Sequence, residues 1–140
     1  CSKKSVGALK MENFKVLRNE EKCIGCGECV IACPMCAWTR SREKYYKLVI
    51  MGRTGKRNPR LAEAFLIWAA EESILKIILN TYRYVEAYID RSAPGGKEHV
   101  GYIVDRTGFD EFKKWALDGV KLPEKTIVKE RIYWSGVQFG

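Results

Sequence analysis

Histidine is almost missing from this 140-residue chain, which carries only His99. With no second histidine and no carboxylate pair at ligand spacing, His99 reads as a surface or structural residue and not as a metal ligand. Long apolar runs are missing too. No stretch approaches the length that crosses a bilayer, and the basic, glycine-containing start offers no uninterrupted apolar core for a signal peptide. Those absences lead to the expectation of a soluble, cytoplasmic protein with no membrane partner. No internal repeat or low-complexity segment is visible. With 46% hydrophobic residues, the chain has enough apolar content for one domain of ordinary size, or for a small module joined to a second.

What is present is cysteine in a particular order. Cys23, Cys26 and Cys29 are each separated by two residues, and Cys33 follows with Pro34 behind it. Three thiolates on one loop can reach three irons of a cubane, and a fourth cysteine before proline completes the run found in bacterial ferredoxins. Gly25 and Gly27 let the backbone approach such a cluster and aim N–H groups at its sulfurs. Because most of the cysteines sit inside this run, a reducing compartment is expected and not a disulfide framework. Cys36 is left outside the run and reads as a small buried residue.

Charge is concentrated as strongly as cysteine. Between Arg40 and Arg60, eight basic residues are answered only by Glu43, a local net of +7 in a chain of net +8. The stretch Gly52-Arg53-Thr54-Gly55-Lys56-Arg57-Asn58-Pro59-Arg60 is not a Walker A loop, because the spacing before Gly55-Lys56 is too short and no Ser or Thr follows the lysine. It reads as a solvated face or as a nucleic-acid site. Only Tyr45 and Tyr46 qualify as stacking aromatics, so nucleic acid is the weakest of the possible partners.

Local patterning predicts a mixed chain. Two short runs around Asn13 predict a hairpin leading into the cysteine loop, and Val30-Ile31-Ala32 a helical turn ended by Pro34. Tyr45 to Met51 predicts a strand bounded by Gly52, whereas Leu61 to Ala70 fits a helix or a buried strand equally. Ile74, Ile77, Ile78, Tyr82, Val85 and Ile89 predict the core stripe of a helix, with Glu71 and Glu72 at its start and Ser73 helping to cap it. Val100 to Val104 reads as extended. A second amphipathic helix is expected from Phe109 to Gly119, and a further extended or mixed run from Thr126 to Trp134.

Taken with the segments that follow it, the cysteine run resembles the siroheme sulfite and nitrite reductases. The likeness rests on Cys23 to Pro34, Ala37 to Arg40, Gly52 to Arg60, Asp105 to Phe109 and Arg131 to Trp134. It implies an α+β fold, in which a small ferredoxin-like iron–sulfur module is followed by part of a reductase α+β domain. The boundaries are expected at residues 1–38 and 39–140. A chain opening on Cys1 and not on methionine is expected to be a piece of a longer polypeptide.

The resemblance also implies ligands and cofactors. In a two-cluster module the fourth cysteine of each run serves the other cluster. Cys1 would then join Cys23, Cys26 and Cys29 on one 4Fe-4S cluster, and Cys33 would serve a second; the alternative is one cluster held by Cys23, Cys26, Cys29 and Cys33. Siroheme and sulfite are anionic, so Arg53, Lys56 and Arg57 are candidates to neutralise them. The cysteines for a siroheme-bridged cluster have no run here, so this piece alone is not expected to reduce sulfite. Its implied role is to relay electrons from donor subunits or a ferredoxin toward siroheme in the parent enzyme. Two other readings are a stand-alone ferredoxin-like carrier with a partner-docking domain, and a nucleic-acid-binding protein with a structural cluster.

Overall fold

Leu9–Glu12 (β1) and Lys15–Arg18 (β2) form the expected antiparallel hairpin, with Glu12 opposite Lys15 across a two-residue turn. Asn13 and Phe14 both take left-handed angles, φ 48° and 60°. That is the mirror-type turn whose twist suits a hairpin, with phenylalanine where glycine is usual. The hairpin leads through Asn19, whose carbonyl accepts the Cys23 N–H at 3.1 Å, into the cysteine loop and a single helical turn, Glu28–Ile31 (α1). Ala8 is the one buried hydrophobic among the described residues of this part.

The computed structural model describes residues 6–53 and 59–132. Within the chain, residues 1–44 and 45–140 form separate compact units. Cys1, Lys56, Arg57 and the end of the expected Thr126 to Trp134 run lie outside the described residues.

In the second unit Tyr46–Ile50 (β3), Glu63–Ala69 (β4) and Ile127–Val128 (β5) form an antiparallel sheet in the order β3-β4-β5. The ambiguous Leu61 to Ala70 stretch is therefore the central strand. Phe65, Leu66, Ile67 and Ala69 are all buried, so the strand lacks the alternation that would have marked it. Trp68 sits at φ 64° and the pairing with β3 shifts register, so a local irregularity breaks the two-residue period.

Glu71–Tyr88 (α2), Val100–Thr107 (α3) and Phe109–Ala116 (α4) supply the helical side of the core, with a 3₁₀ turn at Pro94–Gly96 between the first two. Phe65 meets Phe109 edge-on at 5.9 Å and Phe112 at 5.7 Å, and Tyr84 meets Phe112 at 5.2 Å. These rings join strand to helices in one cluster with Leu66, Ile77, Ile103 and Val104.

Three expectations change. Val100 to Val104 is helical and not extended: Val100, Ile103 and Val104 fall on one helical face, and burying Ile103 and Val104 outweighs their β-branched preference. Ser73 does not cap α2; it is buried and its hydroxyl donates to the Lys121 carbonyl at 2.7 Å. The core face of α2 runs through Ser73, Ile77, Asn80 and Tyr84, while Ile78 and Tyr82 are exposed with Leu75 and Leu79. Apolar residues occupy two sides of this helix, and the buried side carries two polar residues, so hydrophobic periodicity points to the wrong edge of the stripe. Asn80 satisfies itself by donating to the carbonyls of Ala116 at 3.2 Å and Asp118 at 2.8 Å. Among the described residues no helix is long and apolar enough to cross a membrane.

Candidate metal centre

Cys23, Cys26, Cys29 and Cys33 lie on one loop that ends in α1 and the turn behind it. Gly25 (φ 68°) and Gly27 (φ 76°) occupy left-handed conformations, which lets eleven consecutive residues fold back sharply enough to bring successive cysteines onto one loop. Gly27 caps the start of α1, and its carbonyl accepts N–H groups of Val30 at 3.0 Å and Ile31 at 3.3 Å. Cys23, Cys29 and Cys33 are half-buried and Cys26 is exposed, and all are free thiols.

Among the described residues, no three His, Cys, Asp or Glu side chains stand together at metal-binding separation. The loop therefore gathers the cysteines in the chain but does not bring their sulfurs together. The donor set nevertheless fits an iron–sulfur cluster: soft thiolates, uncommitted to disulfides, on a loop whose glycines allow close backbone approach. Cys36 corrects another expectation, being exposed and not buried. It stands at φ 50° in the turn behind Pro34, its N–H donating to the Cys33 carbonyl at 3.2 Å.

Arg40 is a residue of this site that the cysteine pattern does not reveal. Its guanidinium packs against Gly27, where a side chain would collide with it. The signal in the sequence is Gly27 itself, which does more than turn the loop.

The basic segment is built in the second unit. Arg53 and Arg60 face each other through reciprocal backbone hydrogen bonds of 2.7 Å, closing the ends of the Gly52 to Arg60 stretch. Arg53 Nη1 donates to the Tyr102 hydroxyl, and its guanidinium carbon lies 4.7 Å from the ring centre. Arg60 Nη2 donates to Asp105 Oδ2 at 2.6 Å, with its guanidinium carbon 5.8 Å from the same ring. Of the candidates Arg53, Lys56 and Arg57, the described residues thus place Arg53 on α3. Tyr102 and Asp105 were hidden because Val100 to Val104 reads as a strand, which puts these two residues out of phase with each other. His99 is the residue before α3, its ring 6.3 Å from Tyr102.

Residues 15–125 match the family model described as "Nitrite and sulphite reductase 4Fe-4S domain". The chain belongs to this family. Its relatives include two proteins, from Salmonella typhimurium and Salmonella typhi, that are each named as a component of anaerobic sulfite reductase and are each 40% identical over 138 residues. That alignment covers 96% of the chain and 40% of each relative, so the chain spans about 40% of the length of the curated relatives it matches. Membership of the nitrite and sulphite reductase 4Fe-4S family agrees with the mixed α+β architecture. It also assigns the expected cofactor class, a 4Fe-4S cluster.

Proposed function

We propose that the chain is the electron-relaying part of a sulfite reductase, carrying electrons from donor subunits or a ferredoxin toward siroheme, where sulfite is reduced to sulfide. The observation that supports this most is the cysteine loop lying within a family match that continues through the second unit. A stand-alone carrier would have no use for a second unit with its own core. We place the ferredoxin-like module at residues 1–38, the reductase part at 39–140, and the protein in the cytoplasm.

Cys23, Cys26 and Cys29 would hold the cluster, with Cys1 as fourth ligand and Cys33 serving a second cluster; Cys33 as the fourth ligand is the competing scheme. When bound, the cluster supplies one-electron redox chemistry. The chain's own part is to supply thiolates, to bring backbone amides near through Gly25 and Gly27, and to hold Arg40 against Gly27. Arg53, Lys56 and Arg57 would neutralise the carboxylates of siroheme or the charge of sulfite in the parent enzyme through charge-assisted hydrogen bonds.

Anaerobic reconstitution with iron and sulfide counting, followed by EPR after reduction, tests the relay. A cubane signal is expected, and finding neither iron nor sulfide would remove the proposal. Cys1→Ser and Cys33→Ser separate the ligand schemes: loss of the cluster in the first and not the second supports crossed ligation, and the opposite result supports the single run. In the longer parent enzyme, changing Arg53, Lys56 and Arg57 to alanine is expected to weaken siroheme or sulfite binding. Unaltered binding of both would return the segment to a solvated face.

A further inference from the structure

Cys33-Pro34-Met35-Cys36 is a Cys-x-x-Cys sequence folded into a single turn. Pro34 and Met35 are the turn residues, and the Cys36 N–H donates to the Cys33 carbonyl at 3.2 Å. That is the first-to-fourth hydrogen bond of a β-turn, and proline, whose ring presets φ, suits the second position. A β-turn brings the Cα atoms of its first and fourth residues within about 7 Å. A disulfide spans Cα separations of about 4.4–6.8 Å, so the backbone of this turn already holds the two cysteines in the range that a disulfide bridges.

The side chains suit the same chemistry. Both thiols are free, Cys36 is exposed and Cys33 is half-buried, and Met35 between them is turned out to solvent. Cys36 stands at φ 50°, and left-handed angles at a residue other than glycine persist where the surrounding structure imposes them and gather at functional sites. Neither ligand scheme for the cluster uses Cys36, whereas both give Cys33 to iron. The turn therefore joins a thiol with a ligand role to one that has none.

We propose that Cys33 and Cys36 are a reversible disulfide site, with a low-molecular-weight disulfide as oxidant. The exposed Cys36 thiolate attacks one sulfur of that compound, whose S–S bond breaks and releases a first thiol. The Cys33 thiolate then attacks the Cys36 sulfur of the mixed disulfide and displaces the second thiol. Two cysteine thiols become one disulfide, and the two electrons and two protons that they lose leave on the two released thiols. Exposed disulfides are the labile and more oxidising ones, so the bridge opens again when thiols predominate. The consequence rests on reading Cys33 as a cluster ligand: a bridged Cys33 has no thiolate to give to iron, so the turn couples cluster occupancy to the thiol redox balance.

The methionines give a direct test. Cyanogen bromide cleaves after Met11, Met35 and Met51, which separates Cys36 from Cys23, Cys26, Cys29 and Cys33. The cluster-free chain is equilibrated with glutathione and glutathione disulfide, its remaining thiols are alkylated, and fragments of the monomeric fraction are identified by mass spectrometry. Fragments 12–35 and 36–51 are expected to stay joined at oxidising ratios and to separate after dithiothreitol. The link should be lost in Cys33→Ser. Separate fragments at every ratio, or a link that survives Cys33→Ser, would overturn the site. In the longer parent enzyme, iron uptake after treatment with glutathione disulfide should be lower in the unchanged protein than in Cys36→Ser. Equal uptake by the two, with the link present, would overturn the coupling and remove Cys33 from the ligands while the disulfide itself stands.

Discussion

Arg40 lies across Gly27, so close that a Cβ at position 27 would stand 2.5 Å from Arg40 Nη2. Gly27 is between Cys26 and Cys29 at φ 76°, and Arg40 therefore places a positive charge beside the cysteine loop. Alanine at 27 has to pass two tests at once, a left-handed backbone and a guanidinium in its way. Gly27→Ala should lower the iron and sulfide retained after reconstitution. Adding Arg40→Ala should restore only the steric part of that loss. Full retention in Gly27→Ala alone would show that Arg40 moves freely.

Charge gives a second expectation from the same contact. A nearby cation favours the more negative, reduced state of a cluster. Arg40→Gln should therefore shift the midpoint potential to more negative values, read by EPR-monitored redox titration at low ionic strength. A potential equal to that of the unchanged chain would place the guanidinium too far from the cluster to matter.

The cysteine run was legible before any fold was known, because thiolate chemistry dictates both residue type and spacing. The hairpin at Asn13 and the helix from Glu71 were legible for a similar reason, local turn and dipole chemistry. What escaped was set at long range. β4 reads as helix or strand because Phe65, Leu66 and Ile67 are buried in succession, and α3 reads as extended because three of its first five residues are β-branched. The partners of Arg53 and Arg60 lie more than forty positions downstream, at Tyr102 and Asp105. No local rule joins residues that far apart, and an error in the phase of α3 hides them.

Asn80 is expected to be a costly residue to change. Its amide donates to two carbonyls at the end of α4, and the Ala116 carbonyl would be left buried without that donor. Asn80→Leu should destabilise the second unit by about 2 kcal/mol, the penalty of stranding a buried acceptor. Urea unfolding followed by tryptophan fluorescence measures this, and a change near zero would mean that water reaches those carbonyls.

Stability should also depend on acid through Glu111. Its carboxyl is held below the ordinary value of 4.5, first by the Trp115 indole N–H and then by the Tyr88 hydroxyl, at 2.9 and 3.0 Å. A carboxyl with a depressed folded value contributes stability that is fully present above its unfolded value and is lost as pH falls through the folded one. The second unit should therefore weaken on acidification below the ordinary carboxylate range. Glu111→Gln should flatten that limb, and identical acid profiles for the two proteins would remove Glu111 from the account.

Tyr84 sets the opposite limb. Burial, the largest cause, raises its phenol above the ordinary 10.0, partly offset by its hydrogen bond with Thr107. Stability associated with the neutral phenol is fully present below the unfolded value and is lost as pH rises toward the folded one. Unfolding monitored at alkaline pH should show a loss that Tyr84→Phe lacks. A parallel decline in both would assign the alkaline limb to other groups.

The turn between β1 and β2 carries a consequence for mutational tolerance. Phe14 is fully exposed and left-handed, so its ring gains nothing from packing within its unit while its backbone bears the steric cost of that conformation. Deleting an aromatic side chain is ordinarily among the more damaging changes to a protein, yet at this tip the rule inverts. Glycine, the smallest residue, is the one the turn would hold with least strain, and the chain tolerates phenylalanine there at its own expense.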